Sequence, residues 1–470
     1  MRYSLEGSTR RLDGGSVLIG GSPLTLMQLS APGTEALGRA LASGRGGLDS
    51  SAERLVKRLV DAGMVIPAPD VVDPAAGEAV TVVIPVRDGA EALDRTLLSI
   101  ERASVRPCGV VIVDDASLDP ESIAEVARRH GARLEVRDRT GGPAVARNDG
   151  LSVVTTALVA FVDADVEVDE RWLETSLAFF DDDAVGAVAP RVLSPGAVGS
   201  GRLDRYERCR SPLDLGSRPG PVRRRSRLGY VPSAALIGRV DAQRRVNGFD
   251  ESLRFGEDVD LVWRLADAGH RIWYCGDTSV VRHHARADLW SLLRQRFQYG
   301  TSAAPLDERH RGAVAPLGGS RWSVLVWGLV ALGHPVVAGA VAGGTVVALA
   351  RKLSLLDHPM AESVRLAGRG HLGGGEAIAR ALVRPWFPFT LAAAFVSRRA
   401  RRVAVAAVLG PAVLDWRRRR PSLGPVTWVA LSVADDVAYS VGVWRGCLPS
   451  SSHPRGRWGA LLPDFVEWPG

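Results

Sequence analysis

Apolar and polar positions along the middle of this chain switch between two periods. Val80-Thr-Val-Val-Ile-Pro-Val86 is a continuous apolar run of strand length closed by a proline. Arg87-Asp88-Gly89 separates it from a stretch with apolar residues at Leu93, Leu97, Leu98 and Ile100, the spacing of one helix face. Val110-Val-Ile-Val113 repeats the strand pattern and ends in Asp114-Asp115-Ala116-Ser117, and Pro120 to His130 reads as the next helix. Leu134 to Val136, the turn Gly141-Gly142-Pro143 and a helix carrying Arg147-Asn148 follow, before the run Thr156-Ala-Leu-Val-Ala-Phe-Val162. This alternation predicts an α/β unit on a parallel sheet, with acids recurring where strands end. Further on, Glu257-Asp258 opens a helix whose apolar face is Leu261, Val262, Leu265 and Ala266, and the strand-like Thr278-Ser-Val-Val281 precedes His283-His284.

The flanks follow other patterns. Residues 1–66 predict a separate small domain: short strands at Ser16 to Ile19 and Leu24 to Leu26, a helix from Ser30 through Leu41, and a capping box Ser50-x-x-Glu53 ahead of Leu55, Val56, Leu59 and Val60. Gly63 ends that helix before Met64-Val-Ile66, which gives a winged-helix-like order compatible with DNA, protein or peptide contact. The pattern resembles the small peptide-recognition domains of ribosomal peptide-modifying pathways. Residues 67–79, broken by Pro67, Pro69, Pro74 and Gly77, read as a linker to an α/β domain over 80–310. Residues 311–470 read as a helical, membrane-associated region. Within it, the uncharged stretch Ser323 to Ala350 (323–350) is long enough to cross a bilayer core of about 30 Å. Gly328, Gly333, His334 and Pro335 interrupt it, so a single tilted span, a re-entrant hairpin and a buried helix pair all stay open. Arg398-Arg399-Ala-Arg401-Arg402 and Arg417 to Arg420 bracket a short apolar segment, Val403 to Leu414, and suit an anionic inner leaflet.

Composition narrows the class. The 470 residues carry a formal charge of +7 and are 46% hydrophobic, which fits a soluble body with an apolar appendage. No aromatic platform is interleaved with the basic runs, so anionic membrane lipids rather than nucleic acid are the expected partners of the positive charge. Cys108, Cys209, Cys275 and Cys447 form no metal or redox spacing and suit a reducing compartment. No continuous apolar segment opens the chain, so the catalytic body is expected on the cytoplasmic side of the cell membrane.

The chemistry gathers at Asp163-Ala164-Asp165. Two carboxylates delivered by one strand to a sheet edge can hold a divalent cation and a ribose hydroxyl together, which points to sugar transfer from a nucleotide donor. With Val-Val-Ile-Pro, Val-Asp-Asp-Ala-Ser, Gly-Gly-Pro-Ala-Val-Ala-Arg-Asn-Asp-Gly, Phe-Val-Asp-Ala-Asp and Phe-Gly-Glu-Asp-Val-Asp-Leu in order, residues 80 to 300 resemble the family 2 glycosyltransferases of the GT-A fold. The resemblance implies donor contacts from Pro85, Asp115, Arg147 and Asp163. It implies Mg2+ or Mn2+ bound directly by Asp165, with Asp163, His283 and His284 as further metal-site candidates. Asp258 matches the general base that takes the acceptor hydroxyl's proton in one inverting displacement, beside acceptor-side candidates Glu257, Trp263 and Tyr299. Asp114 reads equally as an Asx turn, and Arg147 as a solvated helix arginine. Where processive members carry Gln-x-x-Arg-Trp, this chain has Gln298 and Tyr299 in the last two positions.

The three-part arrangement also resembles the glycosyltransferases of mycofactocin biosynthesis systems. That implies UDP-glucose as donor, the peptide-derived redox cofactor precursor premycofactocin as acceptor, and a β-1,4-linked oligoglucoside as product. Two rivals stand beside it: transfer to a polyprenyl phosphate or cell-envelope glycan, and a non-catalytic module that binds nucleotide sugar or peptide. The intact acids Asp115, Asp163, Asp165 and Asp258 speak against the second.

Overall fold

The structure is a computed structural model that describes residues 1–44, 46, 48–68, 72–194, 201–284, 288–449 and 455–465. The chain divides into two compact units, one of residues 1–197 with 210–285 and one of residues 198–209 with 286–470.

The first unit is built on an eight-stranded sheet in the order Gly220–Pro221, Arg271–Tyr274, Val185–Ala189, Ala235–Arg239, Leu158–Val162, Val80–Val86, Gly109–Asp114, Arg133–Val136. The last four strands in that order are parallel, and their apolar runs are buried because helices cover both faces: Val82, Val83, Ile84, Val159, Ala160 and Phe161 have no exposed surface. The helix Pro143–Val153 lies close against them. A Cβ at Gly150 would stand 2.3 Å from Val83 Cγ1, so only glycine fits there. The sheet is mixed, not wholly parallel as the alternation predicts. Ala235–Arg239 runs antiparallel to both of its neighbours, pairing Ala235 with Val162 and Ile237 with Val188. A second sheet, Val166–Val168, Val280–His283 and Arg191–Leu193, stands beyond the strand ends and pairs Val166 with His283.

The first 66 residues form antiparallel pairs Arg2–Leu5 with Val65–Ala68, a three-stranded sheet of Arg10–Leu12, Val17–Gly20 and Thr25–Gln28, and helices Ala31–Ser43 and Ser50–Asp61. Ser30 caps the first helix as its position suggests, accepting from the Gly33 N–H at 3.3 Å. The second helix is capped one residue earlier than the capping box implies. Asp49 accepts from Ser51 N and Ala52 N, both at 2.9 Å, and Ser50 falls in the first turn. Leu18, Leu37 and Leu59 join the same hydrophobic core as Val82 and Ile84. Of the expected linker 67–79, residues 69–71 lie outside the described residues, Pro67 and Ala68 belong to the strand Val65–Ala68, and Pro74–Ala79 is a short 3-10 helix capped by Asp73.

The second unit is helical. The stretch 323–350 breaks into Arg321–Ala331 and Pro335–Lys352, because Gly333 takes φ 82° and Pro335 starts a new helix. At 1.5 Å per residue the first of these spans only roughly 16 Å, so no single helix runs the whole stretch. Val403 to Leu414 is not an isolated segment: the helix Arg398–Arg419 continues through both arginine clusters. Among the described residues, Pro335–Lys352 and Pro425–Cys447 are long and apolar enough to cross a membrane. The second carries Asp435 and Asp436 mid-helix. Asp435 accepts from the Tyr206 hydroxyl at 2.9 Å and pairs with Arg296 at 3.2 Å, while Asp436 accepts from Arg384 at 2.8 Å. These pairs turn that helix toward protein rather than lipid. It crosses Leu289–Thr301 at glycines, where a Cβ on Gly442 would meet the Phe297 carbonyl at 2.0 Å.

Candidate active site

The carboxyl ends of the parallel strands deliver the acids expected there, and each has a defined partner. Asp114, fully buried at the end of Gly109–Asp114, accepts from Ser117 N at 2.9 Å and from the Ser117 hydroxyl, which makes it an Asx turn. Asp115 accepts from Gly141 N at 2.7 Å, Gly142 N at 2.8 Å and the Thr140 hydroxyl at 2.9 Å, with the Arg137 guanidinium 3.0 Å away. Its carboxylate therefore anchors the loop that starts the Arg147 helix, and a uracil ring would have to take one of these bonds over. Pro85 sits at the last turn of Val80–Val86, opposite Val113 and past the final pairing with the neighbouring strand at Val83 and Phe161. A residue without an N–H fits where that ladder has ended.

Arg147 is 3% exposed and bridges two acids from distant parts of the chain. Its Nη2 donates to Asp163 Oδ1 at 2.7 Å and its Nη1 to Glu257 Oε1 at 3.0 Å, with the guanidinium carbon 5.3 Å from the Phe249 ring centre. It is a strut between the first acid of the Asp-x-Asp pair and the acids at the start of Glu257–Asp267, not a solvated arginine. Asn148 beside it, not singled out by sequence, holds the segment that leads to those acids. Its side-chain amide donates to the Phe249 carbonyl at 2.9 Å and its oxygen accepts from Phe249 N at 2.8 Å. Arg137, likewise not anticipated, ties Asp115 to Asp149.

The helix with Asp258 starts at Gly256, whose φ of 80° lets the chain turn sharply into the first turn. Asp258 accepts from Val259 N at 2.8 Å and from Ser233 N at 3.2 Å. Burial raises its pKa, opposed by those N–H groups and by Arg147. Burial also pushes the Glu257 carboxyl up to about 7, helped by the Asp258 charge and opposed by Arg147. A carboxyl raised in the fold stabilises it below the ordinary carboxylate range and loses that contribution as pH rises through about 7. Proton abstraction runs the other way, since only ionised Asp258 is a base. The acidic limb of kcat/KM is therefore expected above the ordinary carboxylate range. Glu257→Gln is expected to move it down by removing a neighbouring negative charge. Rates measured from about pH 4 to 9 check this, and a limb at ordinary carboxylate pH in the unaltered protein contradicts it.

Asp165 and the histidines are brought together by register. Because Val166 pairs with His283, the His283 Nε2 lies 3.4 Å from Asp165 Oδ2. His284 instead meets Glu167 Oε1 at 2.7 Å. Asp165 and His283 make a two-donor edge, and among the described residues no group of three or more such side chains closes a cage. That donor set fits a hard divalent cation held by one or two protein groups with diphosphate oxygens completing its shell. Trp263 does not reach the site as a sugar platform: it is 4% exposed and its indole N–H donates to the Gly229 carbonyl at 2.6 Å. Tyr299 belongs to the second unit, on Leu289–Thr301, where its hydroxyl accepts from the Gln295 amide at 3.1 Å.

In sequence the chain is similar to known glycosyltransferases. The family model described as glycosyl transferase family 2 matches residues 81–242. A pre-mycofactocin glycosyltransferase of Mycobacterium tuberculosis is 38% identical over 476 aligned positions, covering 98% of this chain and 97% of that protein. The glycosyltransferase AglE of Haloferax volcanii is 25% identical over 231 positions, 47% of this chain and 71% of its own length. Among solved structures, a mannosyltransferase from Pyrobaculum calidifontis in complex with GDP-Man and Mn2+ matches 65% of this chain and 90% of its own, at 18% identity and a TM-score of 0.38.

Proposed function

The chain belongs to the family 2 glycosyltransferases, in the family of the pre-mycofactocin glycosyltransferase, and we propose that it transfers glucose from UDP-glucose to premycofactocin with inversion, building a β-1,4-linked oligoglucoside. The acceptor rests on the relationship to the Mycobacterium tuberculosis protein along nearly the whole of both chains. The reaction rests on one observation: Arg147 joins Asp163, on the donor side, to the acids Glu257 and Asp258 within a single buried network.

Asp165 and His283 would hold Mg2+ or Mn2+, which offsets charge building on the departing diphosphate, so that no acid has to protonate the leaving group. Asp163 faces the donor ribose or a bound water, oriented by Arg147. Asp258, half-buried and oriented by the Ser233 and Val259 N–H groups, takes the proton of the attacking acceptor hydroxyl. Glu257 holds the far end of Arg147. One displacement at the anomeric carbon of an α-linked donor gives a β-linked product.

The second unit supports membrane association as the setting. Phe387–Val396 has no buried residue, with Phe395 and Val396 at 81% and 90% exposure, and the arginines of Arg398–Arg419 follow it directly. An exposed apolar helix next to clustered arginines suits an anionic leaflet. The same apolar helices lend weight to a polyprenyl phosphate as the rival acceptor. One reconstitution tests both points. The purified protein is expected to sediment with vesicles containing anionic lipid and, on them, to release UDP from UDP-glucose several-fold faster when premycofactocin is added. Release that responds only to polyprenyl phosphate, or no sedimentation, counts against the proposal.

A further inference from the structure

The helix that carries Asp258 makes two polar contacts with one short loop. Ser233 N donates to Asp258 Oδ2 at 3.2 Å, and the Trp263 indole N–H donates to the Gly229 carbonyl at 2.6 Å. Between these points run Tyr230, Val231 and Pro232, and the loop passes straight into Ala235–Arg239. The next residue along, Ala234, accepts from Asp163 N at 3.0 Å. The loop is thus fixed to the base helix at both ends and to the first acid of the Asp-x-Asp pair just beyond. Val231 and Pro232 are buried, while Tyr230 is half-buried with its hydroxyl donating to the Pro212 carbonyl at 3.3 Å. Trp263 fills space a phenylalanine could largely fill, but only an indole supplies the N–H that meets Gly229.

We infer that Trp263 is a positioning residue, which sets the Gly229–Ser233 loop as the wall of the acceptor subsite beside Asp258. Both oxygens of Asp258 already accept one backbone N–H, so the direction left for an acceptor hydroxyl is fixed by where that loop stands. A slip of the loop turns the carboxylate and narrows or opens the approach at once, and an error of about 1 Å in such placement can lower a rate on the order of 100-fold. The donor-side acids are oriented by other side chains, Asp163 by Arg147 and Asp165 by His283. The inference rests on Asp258 acting as the base toward premycofactocin.

The test is Trp263→Phe, with premycofactocin varied at saturating UDP-glucose, alongside UDP binding. The expected result is an acceptor KM raised about tenfold and kcat/KM for acceptor lowered by more, with UDP affinity within about twofold. Equal losses in UDP binding and transfer would mean a core residue only and overturn the inference. If Trp263→Phe does not fold, hydrogen exchange on the unaltered protein decides. Premycofactocin is expected to protect amides of 229–233 beyond what UDP-glucose alone does, and no such added protection overturns the inference. An unaltered protein that transfers nothing to premycofactocin refutes the acceptor reading and this inference with it, and does so before any variant is made.

Discussion

Asp258→Asn is expected to lower kcat by about 10³-fold or more while UDP-glucose binds within about twofold of its original affinity. The substitution keeps size and one of the two hydrogen bonds that seat the side chain, because the single amide oxygen still accepts from Ser233 N or Val259 N while the amide nitrogen cannot accept from the other. It removes the basic lone pair that receives the acceptor proton. The donor side is left alone, since Asp163 and Arg147 keep their 2.7 Å contact. Loss of one negative charge beside Glu257 is expected to lower the raised pKa of that carboxyl, which holds Arg147 more firmly, not less. Steady-state rates with both substrates varied, together with a direct binding measurement for UDP-glucose, separate the two effects. Turnover within a few-fold of the original protein removes Asp258 from the base role, and a matching loss of donor affinity would make it a structural residue.

Asp165→Ala is expected to weaken cation-dependent UDP-glucose binding on the order of 100-fold or more, as loss of the carboxylate takes away the charged half of the Asp165–His283 pair. The comparison is calorimetric: UDP-glucose titrated into each protein with Mn2+ or Mg2+ and again with chelator. The original protein should lose affinity on chelation, and the variant should be weak in both conditions. A variant that binds as the original does, with no response to chelator, contradicts the ligand assignment. Asp165 is the cleaner choice over Asp163, because replacing Asp163 would also free one arm of the buried Arg147 and leave its charge half-paired.

The parallel strands were legible because burial on both faces leaves near-continuous apolar runs, as in Val80–Val86 and Leu158–Val162, and strand ends put acids at one edge. Strand direction is not written in such runs, which is why the antiparallel Ala235–Arg239 was not anticipated. The same limit applies to side chains. Arg147 has the local setting of a surface helix arginine, and what buries it comes from positions 163 and 257, far away in sequence. Trp263 shows the converse: aromatic spacing does not say which face meets a ligand, and here the ring is in the core with its N–H on a loop carbonyl. Two adjacent histidines are indistinguishable by composition, and only the pairing of Val166 with His283 turns one toward Asp165 and the other toward Glu167. In the helical unit, Gly333 and Pro335 announced the break at 332–334, whereas the acids of Pro425–Cys447 gave no sign of their partners Arg296 and Arg384.

The central claim is that this site moves glucose onto a peptide-derived acceptor by a single inverting displacement. The most direct measurement incubates the protein with UDP-glucose, Mg2+ or Mn2+, and premycofactocin and polyprenyl phosphate together, then identifies the products by mass spectrometry and reads the new anomeric centre by NMR. The account predicts serial hexose additions to premycofactocin with β configuration, absent with Asp258→Asn. Hexose found on the lipid alone, or an α-linked product, would contradict it.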